Sequence, residues 1–92
     1  MVYEIIWHEK VLKDLKTLSR QDSAGIIAKV KARLAEDPAG LGKPLSGVFK
    51  GLMRYRVGNH RVIYSVDHEN RRISILYVKP RDMAYRRKTR AA

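Results

Sequence analysis

The sequence predicts an α+β domain of order β-α-α-β-β-β, a helical hairpin packed on one face of a small antiparallel sheet. Three observations carry that expectation. Apolar residues recur at helical spacing in the first half of the chain, they alternate with polar ones in the second half, and short turn sequences separate the alternating runs. At 92 residues with 45% hydrophobic content, the chain is sized for one domain, residues 1–92, with a single modest core.

Tyr3-Glu4-Ile5-Ile6-Trp7 is rich in β-formers and reads as a first strand. Val11, Leu12, Leu15 and Leu18 then fall on one helical face, with Lys10, Lys13, Asp14 and Lys16 opposite, which predicts a helix over 9–18. Ser19 with Asp22 three residues on is a capping-box-like start for a second helix. Its stripe is Ile26, Ile27, Val30 and Leu34, and Asp37-Pro38 with Gly40 ends it. Residues 41–50 form a loop punctuated by Gly42, Pro44 and Gly47, with Leu41, Leu45, Val48 and Phe49 expected to anchor it in the core. Strands follow over 52–57 and 60–66, joined at Gly58-Asn59, a tight hairpin signal. Asp67-His68-Glu69-Asn70 makes a second turn, and a last strand runs from Ile73 to Val78.

Charge is segregated along this frame. Residues 1–42 hold 7 Lys/Arg against 6 Asp/Glu, and residues 43–92 hold 13 against 3, within a total net charge of +11. Solubility alone gives no reason for such placement, whereas a basic half facing a polyanion does. The hairpin concentrates it: alternation puts Arg54 and Arg56 on one face of their strand and Tyr55 and Val57 on the other.

Several chemistries are excluded cheaply. There is no cysteine, so neither disulfides nor thiolate catalysis is available, and a cytoplasmic location is expected. The charged N-terminus is not expected to act as a signal peptide, and no uncharged run approaches membrane-spanning length. His8, His60 and His68 sit at no metal-ligand spacing, no phosphate-binding glycine loop occurs, and paired carboxylates are missing. No metal or other cofactor is expected, and chemistry falls to Arg, Lys, Tyr and His. That set suits RNA cleavage in which the 2′-hydroxyl attacks the adjacent phosphorus. Arginine forks match phosphate oxygens and stay charged, which makes them good charge stabilisers and poor bases.

The element order, the segment Gly42-Lys43-Pro44-Leu45, the run from Arg54 to Tyr64 and the ending Arg81-Asp82-Met83-Ala84-Tyr85-Arg86 resemble the RelE/ParE toxin family over nearly the whole chain. The resemblance implies a compact microbial-RNase-like fold and the toxin of a type II toxin–antitoxin pair. RelE-like members cleave mRNA in the ribosomal A site, whereas ParE-like members poison DNA gyrase and lack the nuclease residues. On the RelE pattern Arg61, Arg81 and Tyr85 would be catalytic, with Tyr85 as general base. Arg54, Arg56, Lys79, His60, Arg86 and Arg87 would contact RNA. A RelB-like antitoxin, the ribosome and mRNA are the implied partners. Leu52 stands where some family nucleases carry lysine, and His60 where an aromatic is common.

Alternatives stay open at this stage. A free tyrosine near pKa 10 is mostly protonated at neutral pH, although adjacent cations favour its charged form. His60 is a rival base, yet alternation puts it across the pleat from Arg61. Arg61 could instead pair with Asp67 or Glu69. Lys79 shares parity with the apolar Ile73, Ile75 and Tyr77, so it reaches the basic face only if a bulge resets the register, expected near Pro80. A ParE-like binding poison and a non-catalytic basic RNA-binding module are the competing functions.

Overall fold

The computed structural model describes residues 2–80. Strand β1 is Glu4–Trp7, α1 is Glu9–Lys16 and α2 is Arg20–Lys29. A π-helical turn over Val30–Leu34 extends α2, and a short α3 covers Pro38–Leu41. Then follow β2 (Lys43–Pro44), a 3₁₀ turn (Gly47–Phe49), β3 (Met53–Val57), β4 (His60–Asp67) and β5 (Arg72–Pro80). The expected β-α-α-β-β-β order is therefore present, with a short helix and a two-residue strand added in the 38–44 segment.

Local chemistry accounts for the helix ends. The Asp22 N–H donates to Ser19 Oγ at 3.0 Å, the cap that the sequence announces. The Gly40 N–H donates to Asp37 Oδ1 at 3.0 Å, starting α3 behind Pro38 at its first turn. The π turn is closed by Ala35 N–H donating to Val30 O at 3.0 Å, and the Ala35 carbonyl accepts from Tyr3 N–H at 2.7 Å. That bond fastens the end of the second helix to the entry of β1.

The sheet order is β1-β5-β4-β3-β2. Strands β2 to β5 pair antiparallel, but β1 lies parallel to β5, with Glu4 opposite Arg72 and Trp7 opposite Ile75. The sheet is thus mixed rather than wholly antiparallel. The helical hairpin carries the chain over one face to the far edge. The β3–β4–β5 meander then returns β5 beside β1 pointing the same way. The helices bury Val11, Leu15, Ile26, Val30 and Leu34 against Val62, Tyr64, Ile73, Ile75 and Val78. Each fully buried aliphatic side chain here contributes about 1.5–3 kcal/mol relative to exposure.

Two expectations are corrected. Val48 is 93% exposed, Phe49 52% and Leu41 40%, so these residues do not anchor the 41–50 loop in the core. The loop closes on itself at the end of the β2–β3 hairpin, with Leu45 N–H donating to Leu52 O at 2.9 Å. The register reset on β5 also lies elsewhere than Pro80. Ile63 pairs with Tyr77 while Tyr64 pairs with Ile75, so Leu76 is an extra residue, a β-bulge. Before it Ile73 and Ile75 face the core; after it Val78 does, and Tyr77 and Lys79 turn outward.

Candidate RNA-cleavage face

The sheet surface away from the helices is built by period-two alternation. Met53, Tyr55 and Val57 pack toward the core, so Arg54 and Arg56 of β3 point to the open face. Val62 and Tyr64 are fully buried, so Arg61 and Ile63 of β4 do the same. The Leu76 bulge adds Tyr77 and Lys79 of β5. Cross-strand register gathers these cations. Arg56 stands opposite Arg61, which stands opposite Lys79, and Lys43 of β2 stands opposite Arg54.

The hairpin turn holds this register. Val57 pairs with His60 across a two-residue loop, and Gly58 has φ +58. Glycine at a left-handed first position suits the right-handed twist of the flanking strands. A one-residue slip would send the arginines into the core.

Like charges directly opposite each other on a sheet cost roughly 0.2–1 kcal/mol per pair. A surface selected for stability alone would place acids between these cations. Among the described residues the ion pair that forms is Arg72 Nε to Glu4 Oε1, at 3.1 Å. It lies seven residues along β5 from Lys79, roughly 23 Å at 3.3 Å per residue. Neither Asp67 nor Glu69 pairs with Arg61. The Arg61 Nε is instead buried without a hydrogen-bond partner. A buried donor left unmade costs about 1–3 kcal/mol, more when charged, and an incoming anion would recover it. Beside this stripe, Leu41, Lys43, Arg54, Tyr55 and Arg56 line an open groove of about 250 Å³.

The expected site residues divide into three groups. Arg54, Arg56, Arg61 and Lys79 share the open face, which alternation signals in the sequence for Arg54 and Arg56 and which strand register supplies for Arg61 and Lys79. His60 is on the opposite side. It faces α2 and lines a second groove of about 410 Å³ with Asp22, Gly25 and Ile26, so it does not join the cationic stripe. Alternation across the pleat is the reason. Arg81, Tyr85, Arg86 and Arg87 lie outside the described residues. Lys43 was not singled out as a site residue, because a two-residue strand leaves no periodicity to read. No group of three or more His, Cys, Asp or Glu side chains that could hold a metal occurs among the described residues. Among them too, no helix is long and apolar enough to cross a membrane.

Comparison with known proteins fits this geometry. Residues 5–85 match the family model for the ParE toxin of type II toxin–antitoxin systems. The chain is a RelE/ParE-family toxin. It is 31% identical to Toxin RelE of Mycobacterium tuberculosis over 84 residues, covering 91% of this chain and 87% of that protein. The crystal structure of the M. tuberculosis RelBE2 toxin–antitoxin complex contains a chain that superposes with TM-score 0.84 at 27% identity. The match covers 88% of this toxin and all of that chain. The archaeal RelE–RelB complex from Pyrococcus horikoshii superposes with TM-score 0.70 at 30% identity, covering 88% of this toxin and 97% of that chain. The chain is thus a type II toxin of the RelE family with the RelE α+β fold.

Proposed function

We propose that this toxin is a ribosome-dependent endoribonuclease that cleaves mRNA by metal-free transesterification and so stops translation. The observation that carries the reading is the Arg56–Arg61–Lys79 row, unneutralised by any described carboxylate, with the Arg61 Nε unpartnered.

In the proposed step the 2′-hydroxyl loses its proton to the Tyr85 phenolate and O2′ bonds to the adjacent phosphorus. The bond from phosphorus to the 5′-oxygen breaks, and that oxygen takes up a proton from water, leaving a 2′,3′-cyclic phosphate and a 5′-hydroxyl end. Arg61 and Arg81 stabilise the charge that builds on the phosphorane oxygens, while Arg54, Arg56 and Lys79 hold the flanking backbone. Pro80 pairs with His60 at the cationic end of the sheet, so the chain enters residue 81 there. A RelB-like antitoxin is the proposed neutralising partner, with acidic or amphipathic segments covering the basic face.

Adding the toxin to a translating extract and mapping mRNA ends by primer extension tests the reading. New ends are expected with the wild type and should fall by on the order of 10²–10³ with Arg61→Ala or Tyr85→Phe. The family model is named for ParE, so the second reading is a gyrase poison. Intact mRNA together with gyrase trapped on DNA would select it.

A further inference from the structure

Tyr77 lies between two ammonium groups that the nuclease reading leaves unexplained as a unit. Lys10 Nζ is 5.1 Å from the centre of its ring and Lys79 Nζ is 5.3 Å. The two lysines arrive from different layers of the fold. Strand β1 ends at Trp7, and the His8 N–H makes a last bond to Ile75 O at 3.2 Å. Beyond Ile75, therefore, the edge of β5 is uncovered by a strand. The first turn of α1 stands beside it, and Lys10 reaches Tyr77 around that edge. The Leu76 bulge is what turns Tyr77 outward to meet it.

Tyr77 is opposite Ile63, which is opposite Arg54, and Lys79 is opposite Arg61. The ring thus sits at the β5 end of the cationic rows. Cation–π attraction of about 0.5–1 kcal/mol per exposed contact holds each ammonium near the ring despite their mutual repulsion. No described carboxylate lies within 4.0 Å of either lysine. Neighbouring strands are about 4.8 Å apart, so the row from β3 to β5 spans roughly 10 Å and Lys10 extends it by one more step. That is a path across the strands for a single nucleic-acid chain.

We infer that Lys10, Tyr77 and Lys79 form a phosphodiester clamp that holds a second phosphate of the RNA strand, next along from the one at Arg61. Tyr77 is the positioning residue, and Lys10 supplies a cation from the helical layer. The inference rests on the nuclease reading and names a contact for its substrate.

Binding of a fluorescent, fully 2′-O-methylated single-stranded RNA, which cannot be cleaved by the 2′-hydroxyl route, tests it by anisotropy over a salt series. Lys10→Gln should weaken binding several-fold and reduce the log–log salt slope by about 0.7, the value for one phosphate contact on a single strand. Lys10→Arg should retain the slope. Tyr77→Leu should weaken binding with the fold intact by circular dichroism. Lys16→Gln, on the same helix, controls for net charge. If Lys10→Gln and Lys16→Gln behave alike while Arg61→Ala weakens binding, the clamp is wrong and the nuclease reading survives. If Arg56→Ala, at a residue proposed to hold the backbone, also leaves RNA binding unchanged, the clamp falls together with the backbone contact of the cationic row, while mRNA-end mapping decides cleavage separately. If Lys10→Gln lowers affinity for polyglutamate and not for RNA, the cluster serves an acidic peptide and the clamp is overturned.

Discussion

Lys79 stands opposite Arg61 on the open face because β5 carries one extra residue at Leu76. Without that bulge the parity of Ile73 and Ile75 would place Lys79 in the core and Val78 in solvent. The bulge therefore decides which side of the protein receives the last strand's cation.

Deleting Leu76 should consequently leave the facing of the rest of β5 unchanged. With the extra residue gone, Ile75 opposite Tyr64 runs directly into Tyr77 opposite Ile63, so simple alternation keeps Val78 in the core and Tyr77 and Lys79 outside. The expected outcome is a cooperative urea transition that survives the deletion, and its loss would show that the facing of Lys79 does not follow from the one extra residue.

The Arg56–Arg61–Lys79 row should show a trade between stability and binding. Arg56 is exposed and faces a like charge, so Arg56→Thr should raise stability by about 0.2–1 kcal/mol in urea unfolding. The same variant should bind single-stranded RNA more weakly, with a shallower salt dependence.

Tyr64 gives the fold an alkaline limit. Its ring is fully buried and its hydroxyl donates to Pro38 O at 2.6 Å. Burial first, then the nearby Asp37 carboxylate and Tyr55, push its pKa up to about 12. The folded state favours the neutral phenol, so the contribution is fully present below the unfolded value near 10. It is lost as pH rises from there to about 12, by roughly 2–3 kcal/mol at 1.36 kcal/mol per pKa unit. Tyr64→Phe should lower stability at neutral pH by about 1–2 kcal/mol, from the unpaired Pro38 carbonyl, and flatten the alkaline fall. Urea midpoints from pH 8 to 12 give both readings.

The same hydroxyl explains Gly42. A Cβ at that position would collide with the Tyr64 hydroxyl and press on the Arg54 carbonyl at 3.2 Å. Gly42→Ala should therefore cost about 1–3 kcal/mol as overpacking and disturb the adjoining Lys43–Arg54 pairing. Combining Gly42→Ala with Tyr64→Phe should recover part of that cost, a coupling that a double-mutant cycle measures.

Much of this was legible in the sequence, and the omissions have physical causes. Alternation places Arg54 and Arg56 on one face and separates Arg61 from His60, and Ser19 with Asp22 announces the second helix; that Arg61 joins the Arg54–Arg56 face comes from the β3–β4 register. The position of the bulge was not legible, because the alternation of Ile73, Ile75 and Tyr77 continues through it; only pairing with β4 reveals the extra residue. The parallel β1–β5 pair is a matter of tertiary topology, and strand propensity does not encode direction. Val48 and Phe49 were expected inside because they are apolar, yet loop closure at Leu45 and Leu52 leaves them no core to enter. Lys10 looked like an ordinary solvated helix residue, since its contact with Tyr77 depends on where β1 stops.

The most direct test of the central claim uses ribosome-bound mRNA carrying a single 2′-deoxy nucleotide at the mapped cleavage position. Transesterification by the 2′-hydroxyl predicts that the unmodified message is cut to a 2′,3′-cyclic phosphate and a 5′-hydroxyl end, while the deoxy message stays intact. Equal cleavage of the deoxy message would contradict that chemistry, and an uncut unmodified message would contradict the nuclease function itself.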